Sequence, residues 1–410
     1  MSKQQPTIWI ALPAMNEIDW LPNTLRAIEN QSYKKHHLVI CVNQPDSYRY
    51  STDTEMYNIF LNNQETLSYL RGYNKIPLTI LDRSSEGSGW KSGKGSVGQA
   101  RKTIMDFIAK KAADEDIIVS LDADTTFERN YFNSVVDIYY RNPFIHGLSN
   151  PYFHQLTPYE HINRAILRYE IYMRNYSINQ FRIFSPYRFT ALGSAIATKV
   201  SNYKRIGGMT PKKSGEDFYF LQKLLKSGPL CLYNSQFVYP AARFSNRVFF
   251  GTGPAMIKGN HGNWDSYPIY SYQLFDKIKQ TQEAFRELYH YSFPTPMDNL
   301  LEPDKNNLWT KLRSNAKSRE QFIKACHQKV DGLRILQFLK ANKHEIKQNE
   351  TQVLLDNMRI QEVNIPENIT HELNEHSVLT NVSTESLITI RGLLLTKESN
   401  FLQKHPLTNL

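Results

Sequence analysis

Two short acidic clusters in this chain, Asp122-Ala123-Asp124 and Glu216-Asp217, stand where carboxylates can do chemistry. Asp122 and Asp124 follow the apolar run Ile117-Ile118-Val119-Ser120-Leu121 directly. In extended backbone, side chains two apart project to the same side. Oxygen donors at that spacing suit Mg²⁺ or Mn²⁺, which take one or two carboxylates together with substrate phosphates. The competing reading is a turn, with Asp122 as a cap and Asp124 as a turn former. Glu216-Asp217 follows Gly215 and opens the helical run that begins Phe218-Tyr219-Phe220-Leu221. The helix dipole stabilises acids there, which accounts for Glu216 as a cap. Two adjacent acids after glycine also describe a carboxylate, Asp217, presented to a cleft.

Three further groups could serve a charged ligand. The loop from Gly87 to Ser96 is rich in glycine and carries Lys91 and Lys94 ahead of Gly98 and Arg101. Backbone amides and these cations can hold a phosphate at a helix start. It is not a Walker loop, because Ser88 stands where the first glycine belongs and Gly95 follows Lys94. His261, with His154 as a second candidate, can complete a metal shell. Arg243 and Arg247 flank Phe244-Ser245-Asn246 and can clamp a departing diphosphate.

These residues need elements to position them. Residues 7–12, 37–42, 78–81 and 117–121 read as short buried strands. Helical spacing over about 20–30 and 97–111 alternates with them. Alternation of this kind predicts an α/β fold with a mostly parallel sheet covered by helices. Ligands of such sheets bind beyond the carboxyl ends of the strands. Asn16, Asn43, Asp82 and Asp122 all fall at or just after those ends. Helices are also expected near 160–176 and 217–227. From about 266 the pattern turns to long polar helices, as over 313–327 and 332–347, so residues 1–265 are read as one domain and 266–410 as a helical appendage.

Composition narrows the class. Hydrophobic residues at 40% and charged residues at 21% are those of a globular protein, so a disordered or fibrous chain is excluded. A net charge of +10 favours anionic partners such as nucleotide diphosphates or acidic headgroups. No basic stripe or DNA-binding spacing accompanies it, so nucleic acid is not expected. Cys41, Cys231 and Cys326 form no paired motif and suggest a reducing compartment. No stretch reaches the roughly 18 apolar residues of a membrane span, and no signal peptide is evident. The expectation is a cytoplasmic protein, with contact to the inner face of a membrane left open.

Taken in order, the motifs resemble those of the family 2 GT-A glycosyltransferases, which are inverting and use nucleotide sugars. The resemblance runs over about 7–260, through Leu12-Pro13-Ala14-Met15-Asn16-Glu17, Gly98-Gln99-Ala100-Arg101, Asp122-Ala123-Asp124, Gly193-Ser194, Gly207-Gly208 and Glu216-Asp217 with Gly228. It implies a GT-A fold with Pro13, Asn16 and Glu17 lining the nucleotide pocket and Asp82 and Arg101 near the base. It further implies Asp124 on a Mn²⁺ or Mg²⁺ ion, Asp122 on the ribose or the metal, and Asp217 as the general base. A UDP-sugar donor and a saccharide or lipid-linked acceptor, in surface glycan synthesis, follow from the same resemblance. Asn43 replaces the aspartate that many relatives carry, which bears on base specificity. The Gln-x-x-Arg-Trp motif of processive synthases is absent, so transfer of a single sugar is expected. A nucleotidyltransferase is the runner-up, disfavoured because Pro13-Ala14-Met15-Asn16-Glu17 lacks a glycine-rich loop; a non-catalytic nucleotide-binding relative is the third reading.

Overall fold

A computed structural model describes residues 5–91, 95–245, 251–301 and 308–410. The chain forms two compact units, one of Met1–Leu156 with Ala191–Pro254, the other of Thr157–Thr190 with Ala255–Leu410.

The first unit is α/β. Its strands are β1 (Ile8–Ala14), β2 (His36–Asn43), β3 (Leu78–Arg83), β4 (Ile117–Ser120), β5 (Thr125–Phe127), β6 (Gly147–Ser149), β7 (Ile196–Lys199), β8 (Leu230–Cys231) and β9 (Val238–Pro240). The main sheet runs β8-β6-β7-β4-β1-β2-β3, and β5 pairs with β9 in a separate ribbon. β4, β1, β2 and β3 are mutually parallel, while β7 lies antiparallel to both β4 and β6. Ile10, Ala11 and Leu12 of β1 and Leu38 to Val42 of β2 are essentially inaccessible, as strands covered on both faces must be. Helices Leu21–Glu29 and Val97–Lys111 turn Leu21, Leu25, Ile28 and Ala100, Ile104, Ile108 inward.

The chain steps from β1 outward through β2 to β3, then returns to lay β4 on the other side of β1. The strand order therefore reverses between β1 and β4, and sheets of this kind take ligands in the crevice beyond the carboxyl ends at that point. β1 extends to Ala14, beyond the expected end at Leu12. Pro13 is tolerated there because β4 pairs with β1 only as far as Ala11, so no partner on that side needs a Pro13 N–H.

The second unit is helical and includes the helix Glu160–Arg182, which by sequence precedes the change of pattern near 266. Leu167, Ile171 and Ile178 of that helix share a core with Leu354 and Met358 and with Leu387, Ile390 and Leu394 of the helix Thr384–Lys404. Charges are buried in the same interface. Arg174 Nε donates to Glu170 Oε1 at 3.1 Å, Arg391 Nη1 to Glu170 Oε2 at 3.4 Å, and Arg174 also pairs with Glu398. Buried ions persist only when paired, and removing one partner strands the rest. Glu170→Ala should therefore cost about 3–5 kcal/mol in a urea denaturation of the full chain. A loss below about 1 kcal/mol would reduce the network to the rank of a surface pair.

No helix among the described residues is long and apolar enough to cross a membrane.

Candidate active site

The crevice is built around two guanidinium groups, each held between two carboxylates. Arg101, on the inward face of the helix Val97–Lys111, is 2% exposed. Its Nε donates to Glu216 Oε1 at 3.3 Å, its Nη2 to Asp122 Oδ1 at 2.8 Å and its Nη1 to the Gly193 carbonyl at 2.9 Å, with Ser120 Oγ beside Nη1. Ser120 Oγ also donates to the Gly193 carbonyl at 2.6 Å. Close approach explains Gly193, since a Cβ there would lie 2.3 Å from Arg101 Nη2. Burial alone would lower the Arg101 pKa, but Asp122 and Glu216 outweigh it and hold the group charged.

Gly98 opens the same helix, and a Cβ on it would meet the Lys212 carbonyl oxygen at 2.4 Å and the Glu216 side chain at 3.1 Å. It is a packing position that seats the helix beside the acidic pair.

Asp122-Ala123-Asp124 does not continue the strand. β4 ends at Ser120, and a turn follows in which the Thr125 N–H donates to the Asp122 carbonyl at 3.2 Å. Thr24 Oγ1 fixes this turn by donating to the Ala123 carbonyl at 2.8 Å. The alternation expected from period two is thereby broken, and the two aspartates meet different partners. Asp122 goes to Arg101, whereas Asp124 goes to Arg243, whose Nε donates to Asp124 Oδ2 at 2.8 Å. Arg243 Nη2 also reaches Glu17 Oε1 and Oε2 at 2.7 and 2.8 Å. The β5–β9 ribbon delivers Arg243, because Thr125 pairs with Pro240 and the Ala241 N–H donates to the Asp124 carbonyl. The Arg243 guanidinium lies 5.1 Å from the Trp20 ring centroid.

Glu216 and Asp217 divide. Gly215 takes φ of +72°, a left-handed conformation that suits glycine, and the helix Glu216–Ser227 starts from it. Glu216 is buried on Arg101 and acts as an anchor. Asp217 is half-buried and accepts from the Phe218 N–H at 2.7 Å. Its carboxyl is pushed up to about 7, first by burial and then by the charge of Glu216, with the Phe218 N–H and Arg101 opposing.

The residues expected around a nucleotide base turn out to be engaged in local structure. Asn43 is buried, with its amide nitrogen donating to the Ala14 carbonyl at 2.9 Å and its amide oxygen accepting from Trp90 Nε1 at 3.1 Å. It ties β1 and β2 to the glycine-rich loop. Asp82 organises its own turn, accepting from the Ser84 and Ser85 N–H groups at 2.9 and 2.8 Å and from Ser85 Oγ at 2.5 Å. Burial raises the Asp82 pKa, but those bonds and Arg71 bring the net result below the usual value. Asn16 is exposed at φ of +60°, with its N–H on Asn63 Oδ1 at 2.9 Å. Asn63, on the helix Thr54–Arg71, also donates to the Asn43 carbonyl at 3.2 Å and to Gln44 Oε1 at 2.7 Å. Neither Asn63 nor Trp90 is among the site residues expected from the sequence. A lone asparagine on a helix carries no signal, whereas a tryptophan inside a glycine-rich loop is one that could have been used.

Lys94 and Arg247 lie outside the described residues. His261 is in the second unit and exposed, following the helix Thr252–Asn260. His154 is buried, with its ring 5.7 Å from that of Tyr152. Among the described residues no three His, Cys, Asp or Glu side chains are grouped to cage a metal. The fit to a divalent cation rests instead on donor chemistry: Asp122 and Asp124 are hard oxygen donors of the kind Mg²⁺ and Mn²⁺ take alongside phosphates.

Compared by sequence, the chain matches no family model and no curated protein. Among solved structures it is similar to S. aureus TarS 1-349 in complex with UDP-GlcNAc, with 12% identity over 83% of this chain and 91% of that one and a TM-score of 0.41. It is also similar to the mannosyltransferase PcManGT from Pyrobaculum calidifontis in complex with GDP-Man and Mn²⁺, with 14% identity over 98% and 88% of the two chains and a TM-score of 0.40. GalNAc-T7 with UDP, GalNAc and Mn²⁺ shows 13% identity over 78% of this chain and 56% of its own, with a TM-score of 0.39. Likenesses of that size leave the functional reading to the side chains described above.

Proposed function

We propose that this chain is a metal-dependent, inverting GT-A glycosyltransferase that moves one sugar from a nucleotide-sugar donor to a saccharide or lipid-linked acceptor, in surface glycan synthesis. The observation that carries the reading is the convergence of Glu17, Asp122, Asp124, Arg101, Arg243 and Asp217 in one unit, about the carboxyl ends of β1 and β4. Parallel sheets bind nucleotides at such a reversal of strand order.

In this reading Asp124 and Asp122 hold Mn²⁺ or Mg²⁺, which when bound neutralises charge developing on the leaving diphosphate. Arg243 adds a planar cation to the same region. Arg101 and Glu216 keep Asp122 and the start of the Glu216–Ser227 helix in place. Asp217 takes the proton of the acceptor hydroxyl, and a carboxyl titrating near 7 is matched to that task at neutral pH. Pro13, Asn16 and Glu17 form the wall of the nucleotide pocket. Because Asn43 spends both ends of its amide on Ala14 and Trp90, it acts on the base through the loop it holds.

The test is a thermal-shift screen of UDP, GDP and CDP with Mn²⁺ or Mg²⁺, followed by sugar-nucleotide turnover. Stabilisation by one diphosphate that requires the metal, and loss of turnover in Asp124→Ala, are the expected results. No shift with any diphosphate would sink the proposal. Release of pyrophosphate in place of a nucleoside diphosphate would turn it toward nucleotidyl transfer.

A further inference from the structure

The two guanidiniums of the site are held very differently. Arg101 is walled in, with partners on Glu216, Asp122, Ser120 and the Gly193 carbonyl, and no room at Gly193 for even a methyl group. Arg243 sits in a coil segment after the β5–β9 ribbon and keeps 15% of its side chain exposed. Its planar fork spans Glu17 and Asp124, with Nη2 2.7 Å from Glu17 Oε1 and 2.6 Å from Asp124 Oδ2. Asp124 Oδ2 also receives Nε at 2.8 Å. The carboxylate best placed to take a divalent cation is thus already covered by a monovalent one.

Two consequences follow from charge alone. A metal ion approaching Asp124 without a nucleotide meets a guanidinium already within 2.6–2.8 Å of Asp124 Oδ2, and like charges at close range repel strongly in a partly buried site. A diphosphate offers the guanidinium the same bidentate oxygen geometry that Glu17 and Asp124 offer, with more negative charge. The Trp20 ring, 5.1 Å from the guanidinium carbon, gives Arg243 a contact independent of either carboxylate.

We infer that Arg243 is an exchangeable counter-ion: it neutralises Glu17 and Asp124 before the donor arrives, then passes to the diphosphate, so that cation and nucleotide enter together. The inference rests on the glycosyltransferase reading of the site, and it assigns Arg243 a binding role in donor loading. It makes metal and nucleotide binding cooperative by a route that belongs to this one side chain.

Mn²⁺ binding to the full-length chain, followed by the electron-spin resonance signal of free Mn²⁺, reads this without turnover. Wild type, Arg243→Met, Arg243→Gln and Arg243→Lys are each titrated alone and with saturating UDP or GDP. In wild type Mn²⁺ alone should bind weakly and the diphosphate should tighten it by about 10- to 100-fold, the usual range of coupling between sites. Arg243→Met should bind Mn²⁺ alone about tenfold more tightly and lose most of that enhancement. Arg243→Gln gives the same readout should the Met variant fail to fold, as judged by circular dichroism. Arg243→Lys, which keeps the charge, should retain part of the coupling. If wild type shows Mn²⁺–diphosphate coupling but neither neutral variant binds Mn²⁺ alone more tightly, the counter-ion role is overturned and the glycosyltransferase reading stands. If wild type binds no Mn²⁺ even with diphosphate, both fall.

Discussion

Asp217→Asn should lose sugar transfer by roughly 10²- to 10⁴-fold, the range expected when a positioned general base is removed, while donor binding stays near wild type. The asparagine keeps the shape of the side chain and the acceptor oxygen for the Phe218 N–H, but it cannot take a proton. The pH profile makes the test specific. With the carboxyl pushed up to about 7 by burial and by Glu216, the active form is the ionised one. Wild-type rate should therefore fall about tenfold per pH unit below about 7 and level off above it, and that limb should vanish in the variant. Stability should move the other way. The folded protein holds the Asp217 proton more tightly than the unfolded chain, so ionisation opposes folding. Relative to wild type, the Asn variant should gain stability from about pH 4 upward, with the gain constant above about 7. A variant retaining rates within tenfold of wild type would remove Asp217 from the mechanism.

Arg101→Met carries the second large effect. It leaves the buried Glu216 carboxylate without its ion partner, releases Asp122, and leaves the Gly193 carbonyl with Ser120 Oγ alone of its two donors. Breaking a buried ion pair from one side costs about 3–5 kcal/mol, so the loss should be plain in chemical denaturation of the full chain. Diphosphate binding should weaken as well, since the Asp122 turn and the start of the Glu216–Ser227 helix both lean on this side chain. Arg101→Lys is the informative companion. A lysine restores the charge but has one nitrogen where the guanidinium uses three, aimed at four acceptors on Glu216, Ser120, Gly193 and Asp122. It should recover part of the stability and little of the binding. Wild-type stability in Arg101→Met would show that the triad is not what organises the crevice.

Much of the frame is legible in the residues themselves. Buried parallel strands are continuous apolar runs, so β1, β2, β3 and β4 could be marked to within one or two residues, and the helix over 97–111 by its spacing. The same locality placed Asn16, Asn43, Asp82 and Asp122 at strand ends, and with them the crevice. A 3.6-residue period also announced C-terminal helices, although the run over 313–327 is broken between Asn315 and Arg319, and the helix near 160 runs on to Arg182 and falls in the same unit.

What the tertiary structure alone decided is which charges meet. The pairing of Arg243 with Glu17 joins residues 226 apart, and that of Arg101 with Glu216 residues 115 apart. The sequence marks both arginines as candidates, Arg101 in Gly98-Gln99-Ala100-Arg101 and Arg243 ahead of Phe244-Ser245-Asn246, but nothing local names their partners. The sequence already separates Asp217, as a carboxylate presented to a cleft, from Glu216 as a cap, but neighbouring helix positions point about 100° apart and only the fold shows that Glu216 is the one that anchors Arg101. Asn43 and Asp82 show the reverse. Their strand-end positions read correctly, but an amide or carboxylate in a turn satisfies the nearest backbone groups first, and only the folded loop shows those bonds already made. The sequence by itself determined the α/β frame and the acidic strand ends; long-range ion pairing, which depends on sheet order, decided the role each acid can play.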